Sequence, residues 1–252
     1  MKVSIITVSY NSAKTIRHTI ESVLNQKYEN IEYIVVDGYS RDETVKILSD
    51  CEPLFMKKAM EFRWISEKDD GIYDAINKGI RMATGDVVGI LNSDDYFQDD
   101  RVVGDIVEAF MKNDVDCIHG NLIYINPNDG RITRRWISRE FSSGLFEKSW
   151  TPAHPTFYCK REVYNKYGLY KTDYRIAADV ELMYRFLEIN RVRSKFIDRK
   201  MVVMRQGGIS NRGLRSTITI TKEMRRAFRE NGQHLNLLKY LFFKVGKLRE
   251  LV

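Results

Sequence analysis

The stretch Gly85-Asp86-Val87-Val88-Gly89-Ile90-Leu91-Asn92-Ser93-Asp94-Asp95 restricts the fold most, because a short apolar run stops abruptly at two adjacent carboxylates. Val87 to Leu91 is too short for a helix, is bounded by Gly85 and by polar residues, and lacks the alternation of a half-solvated strand. A central parallel strand is therefore expected. Ligands of open α/β sheets bind at the carboxyl ends of such strands. Neighbouring carboxylates repel, and a cleft holds them only when a cation or a hydrogen-bond network compensates. A hard divalent metal holding a phosphate does this. The other reading of Asn92 to Asp95 is a polar turn capping the next helix, so the remaining chain must decide.

The rhythm around that stretch repeats. Val3 to Val8 reads as a first strand, and after Ser9-Tyr10-Asn11, Ser12 is placed to cap a helix with Ile16, Ile20, Val23 and Leu24 on one face. Ile31 to Val36 is a second strand ending in Asp37-Gly38-Tyr39-Ser40, followed by a helix carrying Val45, Ile47 and Leu48. Phe62 to Ile65 is a third strand. The helix after it buries Ile72, Ile76, Gly79, Ile80 and Ala83, leaving Asp74 and Lys78 on another face, where a plain i,i+4 ion pair also explains them. Val102, Val103, Ile106, Val107 and Phe110 mark a fourth helix. Such a succession predicts an α/β, doubly wound, mostly parallel sheet with helices on both faces. It places Asp37 at the same sheet edge as Asp94, where an Asp after the second strand either accepts hydrogen bonds from a nucleoside or simply forms a turn. The first turn has neither Gly-x-Gly-x-x-Gly nor a Walker-type Gly-Lys-Ser, which removes the common dinucleotide and triphosphate cradles.

After Asp116 the pattern changes to α+β. Cys117 to Tyr124 and Arg131 to Ile137 read as a hairpin around Asn126-Pro127-Asn128-Asp129-Gly130. His154 precedes a Pro and another strand, and Asp179 falls in the first turn of a helix with Leu182, Met183, Phe186 and Leu187 inside, where the helix dipole favours a carboxylate. His154 is either a polar wall of the cleft or structural, and Asp179 alone is an ordinary capping acid.

The 252 residues carry a net charge of +7, placed unevenly. From Arg205 to Val252 there are eleven Lys or Arg and three Glu, a balance of +8, so the first 204 residues stand at −1. A near-neutral body argues against a nucleic-acid partner, and the basic tail points to an anionic surface. In the tail Leu238, Leu241, Phe242, Val245, Leu248 and Val252 share one face, Lys239, Lys244 and Lys247 another, and Phe243 spoils the pattern. The two readings are a helix lying on a membrane, and a helix folded back on the domain or packed in an oligomer. Cys51, Cys117 and Cys159 show no paired spacing, so no disulfide or zinc site is expected and a reducing cytosol fits. The N-terminus lacks a signal-peptide pattern and no run is long enough to span a bilayer.

Taken together, Ser4 to Asn11, Val36 to Ser40, Asp69-Asp70-Gly71-Ile72-Tyr73-Asp74-Ala75-Ile76-Asn77-Lys78-Gly79, Ala83 to Asp86, Asn92 to Asp95 and Ala178 to Leu182 resemble glycosyltransferase family 2, in order and spacing, from about residue 1 to 210. The likeness is greatest to the bacterial capsule, colanic-acid and O-antigen branch, in which Gly-Ile-Tyr-Asp-Ala and a late Gly-Gly-Ile-Ser, here Gly207 to Ser210, both occur. The resemblance implies the GT-A fold, a UDP- or GDP-sugar donor, Mn²⁺ or Mg²⁺, inversion at the anomeric carbon, and a saccharide acceptor such as a polyprenyl-diphosphate-linked one at the inner face of the cytoplasmic membrane. It assigns Asp37, Asp69 and the Thr7, Ser9, Tyr10, Asn11 turn to the nucleoside, Lys78, Asn92, Ser93 and Asp95 to the donor, Asp94 to the metal and Asp179 to the base. His154 would neighbour the acceptor or metal. Asn92 replaces the first carboxylate of the family's Asp-x-Asp, and Ala178-Asp179 replaces its Glu-Asp pair. The organisation expected is a catalytic domain over 1–210, divided into a nucleotide-sugar half (1–115) and an acceptor half (116–210), with a basic helical tail over 211–252. Competing readings are a nucleotidyltransferase-like or non-catalytic sugar-nucleotide-binding protein, although no Gly-rich, Lys/Arg-bearing first loop is present, and a basic nucleic-acid-binding protein, which would need a basic body.

Overall fold

A computed structural model describes residues 1–207 and 214–246. Strands β1 (Val3–Ser9), β2 (Ile31–Asp37), β3 (Glu61–Ser66) and β4 (Val87–Ile90) run parallel in the order β3-β2-β1-β4. Every residue of β1, β2 and β4 is buried, whereas the edge strand β3 is half-exposed. Uninterrupted apolar runs are the sequence form of strands covered on both faces. Successive residues serve opposite cores, since side chains alternate across a strand. Val3, Ile5, Tyr33, Val35 and Val87 pack with residues of α1 (Ile16–Leu24), α2 (Thr44–Lys57) and α4 (Val102–Lys112). Ile6, Val8, Ile34, Val36, Val88 and Ile90 pack with α3 (Ile72–Met82) and α6 (Ala178–Tyr184). Gly89 in β4 admits the Tyr158 ring, which would lie 2.0 Å from a Cβ placed there.

The sheet continues from β4 through β8 (Tyr158–Lys160), β6 (Cys117–Ile125), β9 (Ser194–Arg205) and β5 (Tyr96–Phe97), with β7 (Ile132–Trp136) hairpinned onto β6. Here directions mix: β8 is antiparallel to both β4 and β6, and β6 is parallel to β9. A short helix α5 (Arg161–Tyr167) follows β8. Two expectations are corrected. Cys117 and Cys159 are register partners across β6 and β8 and form a disulfide, leaving Cys51 as the free, buried thiol among the described residues; their separation of 42 residues hid a pairing that only strand adjacency creates. Ser12 does not cap α1 with its side chain, because its hydroxyl meets Ser93 Oγ at 2.8 Å and the helix begins after Thr15.

The tail is an integral layer. Met224, Ala227 and Phe228 of α7 (Leu214–Glu230) and Leu235 and Tyr240 are buried in the same core as Ile6 and Leu182. The Phe228 ring stacks on Tyr184 at 4.2 Å. Helix α8 (Leu237–Gly246) has its cations engaged: Lys239 pairs with Glu147 at 2.7 Å and Lys244 reaches Thr221 Oγ1 at 3.1 Å. The fold-back reading thus holds for α7, and Leu248, Val252, Lys247 and the Gly208-Ile209-Ser210 part of the late motif lie outside the described residues. Among the described residues no helix is long and apolar enough to cross a membrane.

At the opposite end of the sheet, Glu32 is fully buried beside Ser4, Thr84 and Arg63. Burial opposes its charge, but hydrogen bonds from Ser4 and Thr84 and the Arg63 guanidinium outweigh it and hold the carboxyl at about 2. A carboxyl depressed on folding stabilises above its ordinary value of 4.5 and ceases to do so as pH falls through about 2. Urea unfolding of Glu32→Gln should therefore show a loss of about 2 kcal/mol at pH 7 that narrows between pH 4.5 and 2 relative to the wild type.

Candidate active site

The carboxyl ends of β1 and β2 are laced together. Asp37, fully buried, accepts at Oδ1 from Ser9 Oγ (2.9 Å) and Ser40 Oγ, and at Oδ2 from Ser40 N and Ser66 Oγ, both at 2.8 Å. Its four acceptor positions are engaged, so here it ties three strand ends to the loop between β2 and α2. Asn11 and Tyr39 adopt φ of +50° and +64°. Asn11 N donates to Ser40 Oγ, and Asn11 Oδ1 accepts from Arg41 N at 2.9 Å, while Ser12 N donates to Thr44 Oγ1. The two loops form one rigid rim on which Tyr10 and Tyr39 stand exposed by 64% and 54%. Asp69 Oδ2 lies over Gly38, only 2.5 Å from where a Cβ would be, and Asp69 Oδ1 accepts from Gly71 N. Asp69, Gly38 and Tyr10 are thus contiguous. Thr7 is not at this surface: it is fully buried and donates to Leu91 O at 2.7 Å. Lys78 donates to Lys68 O at 2.7 Å and pairs with Glu67 at 2.8 Å and Asp74 at 3.6 Å, which anchors the loop between β3 and α3.

Beyond β4 the backbone turns at Asn92, whose O accepts from Asp95 N at 3.0 Å. Thr19 on α1 donates to both Ser93 O (3.0 Å) and Asp95 O (2.7 Å), fixing the turn. Asn92 Nδ2 donates to Asp95 Oδ2 at 2.8 Å, leaving Asp95 Oδ1 buried without a partner. Burial and the Asp94 charge push Asp95 well above the usual carboxylate range, and burial pushes Asp94 up as well, against the Arg205 guanidinium. Arg205, the last residue of β9, donates to Asp94 O at 2.6 Å and lies over the Tyr96 ring at 5.0 Å. Among the described residues no group of three His, Cys, Asp or Glu forms a metal cage. The donor set present is the half-exposed Asp94 beside the orphaned oxygen of Asp95, which fits a hard cation that takes its other ligands from a diphosphate and water.

Asp179 occupies the second position of α6. Its Oδ1 is buried and unpartnered, and burial raises its pKa while His154 draws it down. His154 Nε2 lies 3.1 Å from Tyr170 Oη, its ring edge-on to Tyr170 at 6.0 Å, and burial lowers its pKa. Tyr73 donates to Ile176 O, just before the helix. Burial pushes the phenol of Tyr124 on β6 up to about 12, against the Arg134 charge, with smaller upward contributions from Asp95 and Asp179. Tyr170, Arg205 and the Ser66 hydroxyl carry no motif and were not legible singly.

The sequence model described as Glycosyl transferase family 2 matches residues 4–172. The chain belongs to glycosyltransferase family 2. This family 2 protein is 38% identical over 189 residues to an uncharacterized glycosyltransferase of Mycobacterium tuberculosis, covering 73% of this chain and 68% of that protein. It is 26% identical over 178 residues to a PGL/p-HBAD biosynthesis glycosyltransferase of Mycobacterium bovis, covering 70% and 66%. Its fold is that of S. aureus TarS 1-349 in complex with UDP-GlcNAc (TM-score 0.69, 18% identity, 92% of this chain, 65% of that one). It is also that of the mannosyltransferase PcManGT of Pyrobaculum calidifontis in complex with GDP-Man and Mn²⁺ (TM-score 0.66, 19% identity, 96% and 68%). The expected GT-A fold and glycosyltransferase class are thereby established.

Because Asp37 joins three strand ends, Asp37→Ala strands the buried Ser9 hydroxyl and loosens the rim. We expect a loss of about 2–4 kcal/mol in urea unfolding, larger than Asp69→Ala, which removes one exposed backbone contact.

Proposed function

We propose that the protein transfers a sugar from a UDP- or GDP-sugar to a hydroxyl of a saccharide acceptor with inversion, Asp179 being the base and Asp94 the holder of Mn²⁺ or Mg²⁺ against the donor diphosphate. The observation that carries this reading is the pair of buried carboxylate oxygens without a hydrogen-bond partner, Oδ1 of Asp95 and Oδ1 of Asp179. One carboxylate group follows the carboxyl end of β4, where open α/β sheets bind ligands, and the other stands in the first turn of α6 in the second half of the chain. In the reaction the acceptor oxygen bonds to the anomeric carbon and gives its proton to Asp179, while the bond from that carbon to the diphosphate breaks and its electron pair leaves with the diphosphate. A single displacement inverts the centre. A divalent ion, when bound, supplies neutralisation of the leaving diphosphate. Asn92 orients Asp95 through its amide, and the rim of Tyr10, Asn11 and Asp69 receives the nucleoside. The nucleotide-sugar complexes of the TarS and PcManGT folds support such a donor.

The acceptor is proposed to be lipid-linked, in bacterial surface polysaccharide assembly, and α8 to rest on the membrane. With Lys239 and Lys244 turned inward, Leu238, Phe242 and Val245 project outward, exposed by 83%, 76% and 66%. Such a ridge suits the interfacial region of a bilayer.

Asp179→Asn should bind nucleotide sugar within twofold of the wild type by calorimetry yet lose about 10²–10⁴-fold in transfer, the range for a general base. Undiminished transfer would remove Asp179 from the chemistry. The wild type should float with liposomes containing anionic lipid and Leu238→Glu/Phe242→Glu should not; equal flotation would contradict the membrane contact.

A further inference from the structure

Helix α7 reaches the base helix with a carboxylate. Glu223 Oε1 accepts from Arg175 N at 2.7 Å, and Oε2 accepts from Ile176 N (3.1 Å) and Ala177 N (2.8 Å). These are the last three residues before α6, so one side chain satisfies consecutive backbone donors that no side chain of α6 itself caps. From the other side Tyr73 of α3 donates to Ile176 O, so the peptide leading into Asp179 is gripped at donor and acceptor alike. A second connection runs through Lys171, which bonds Glu230 of α7 at 2.7 Å and the fully buried Glu181 of α6 at 3.1 Å, while Arg185 closes on Glu181 at 3.0 Å. Arg226 pairs with Glu230 and Asp173 and lies over Tyr174 at 4.4 Å, tying the preceding loop to the same helix. The family match ends at residue 172, so α6 and the α7 residues Glu223, Arg226 and Glu230 that grip it lie beyond the matched region, while Tyr73 and Lys171 lie within it.

We propose that Glu223 is a positioning residue for Asp179: α7 completes the active site by clamping residues 175–177 and setting both the direction and the electrostatic surroundings of the base. The proposal rests on the reading of Asp179 as the base. Carboxylates that accept several backbone N–H bonds are strongly anchored, and misplacing a reacting group by about 1 Å costs about 10²-fold in rate. Glu223 also places a negative charge near Asp179 that raises its proton affinity. The other groups facing Asp179 are His154, which lowers that affinity, and the phenols of Tyr73, Tyr124 and Tyr170, each pushed up by the Asp179 charge. Burial, the largest influence on Asp179, still raises its pKa when the Glu223 charge is removed, but one upward contribution is gone, so the pKa moves down.

The test uses the full chain labelled at aspartate carboxyl carbons, with the Asp179 resonance assigned by its absence in Asp179→Asn. In Glu223→Gln, which retains one carbonyl acceptor and the side-chain volume, the Asp179 midpoint should move to lower pH, and amides 175–177 should exchange about tenfold faster than in the wild type. Nucleoside-diphosphate release from UDP-GlcNAc or GDP-mannose, with water as the acceptor, should fall about tenfold, with its acid limb displaced in the same direction and donor binding unchanged. Glu223→Ala should exaggerate each effect. An Asp179 midpoint and exchange rates identical to the wild type would overturn the proposal, and they are read without any ligand. If Asp179→Asn itself releases nucleotide at the wild-type rate, the assignment of the base fails, and with it the proposal, even where Glu223→Gln speeds exchange at 175–177.

Discussion

Burial of Asp94 and Asp95 at the tip of β4 is the constraint on which the rest of the site depends. Burial raises the pKa of both adjacent carboxylates, the Asp94 charge raises Asp95 further, and Asn92 and Arg205 oppose the rise at Asp95. The remaining imbalance, an acceptor oxygen with no donor, is what the proposed cation would compensate. The rigid sheet behind it is what keeps the pair from relaxing apart. β1 and β4 are held by parallel pairing and by the Thr7 hydroxyl on Leu91 O, and β1 and β2 by Asp37 at their ends. Stability and function thus share residues. Asp37 serves as a strand-end tie, while the exposed surface of the rim falls to Tyr10, Tyr39 and Asp69.

The second half of the chain supplies the opposite chemical need. Asp179 sits among buried phenols and the His154 imidazole, whose pKa burial lowers, in surroundings that favour its protonated form more than water does. A base of raised proton affinity is better matched to taking a proton from an alcohol, provided it is ionised at working pH. On the proposed reading its aim comes from α7, a helix that lies after the region common to the family match, while α8 presents an exposed apolar ridge of Leu238, Phe242 and Val245.

Much of this was legible in the sequence because the signals were periodic or local. The runs Val3 to Val8, Ile31 to Val36 and Val87 to Leu91 became buried strands within a residue of the expected ends, since only strands covered on both faces carry such runs. The placing of Asp94 and Asp95 after a strand tip and of Asp179 in a helix's first turn was legible because those positions are fixed by the same patterns, whereas the roles given to them came from the family resemblance. What escaped depended on long-range adjacency. The Cys117–Cys159 disulfide needs β6 and β8 to be neighbours, the Arg205 contact needs β9 to end beside β4, and the engagement of Ser12 with Ser93 needs both loops in place. The inward turn of Lys239 and Lys244 was equally invisible, because periodicity assigns residues to faces of a helix without saying which face meets the protein.

The most direct measurement of the central claim is thermal unfolding with UDP-, GDP- and dTDP-sugars, with and without Mn²⁺, on the wild type and on Asp94→Ala. The account predicts that one nucleotide class at about 100 times its Kd raises the wild-type Tm by roughly 5 °C or more. That rise should require Mn²⁺ and vanish in Asp94→Ala. A rise of equal size in Asp94→Ala, or one independent of Mn²⁺, would contradict a cation-bridged diphosphate at the tip of β4.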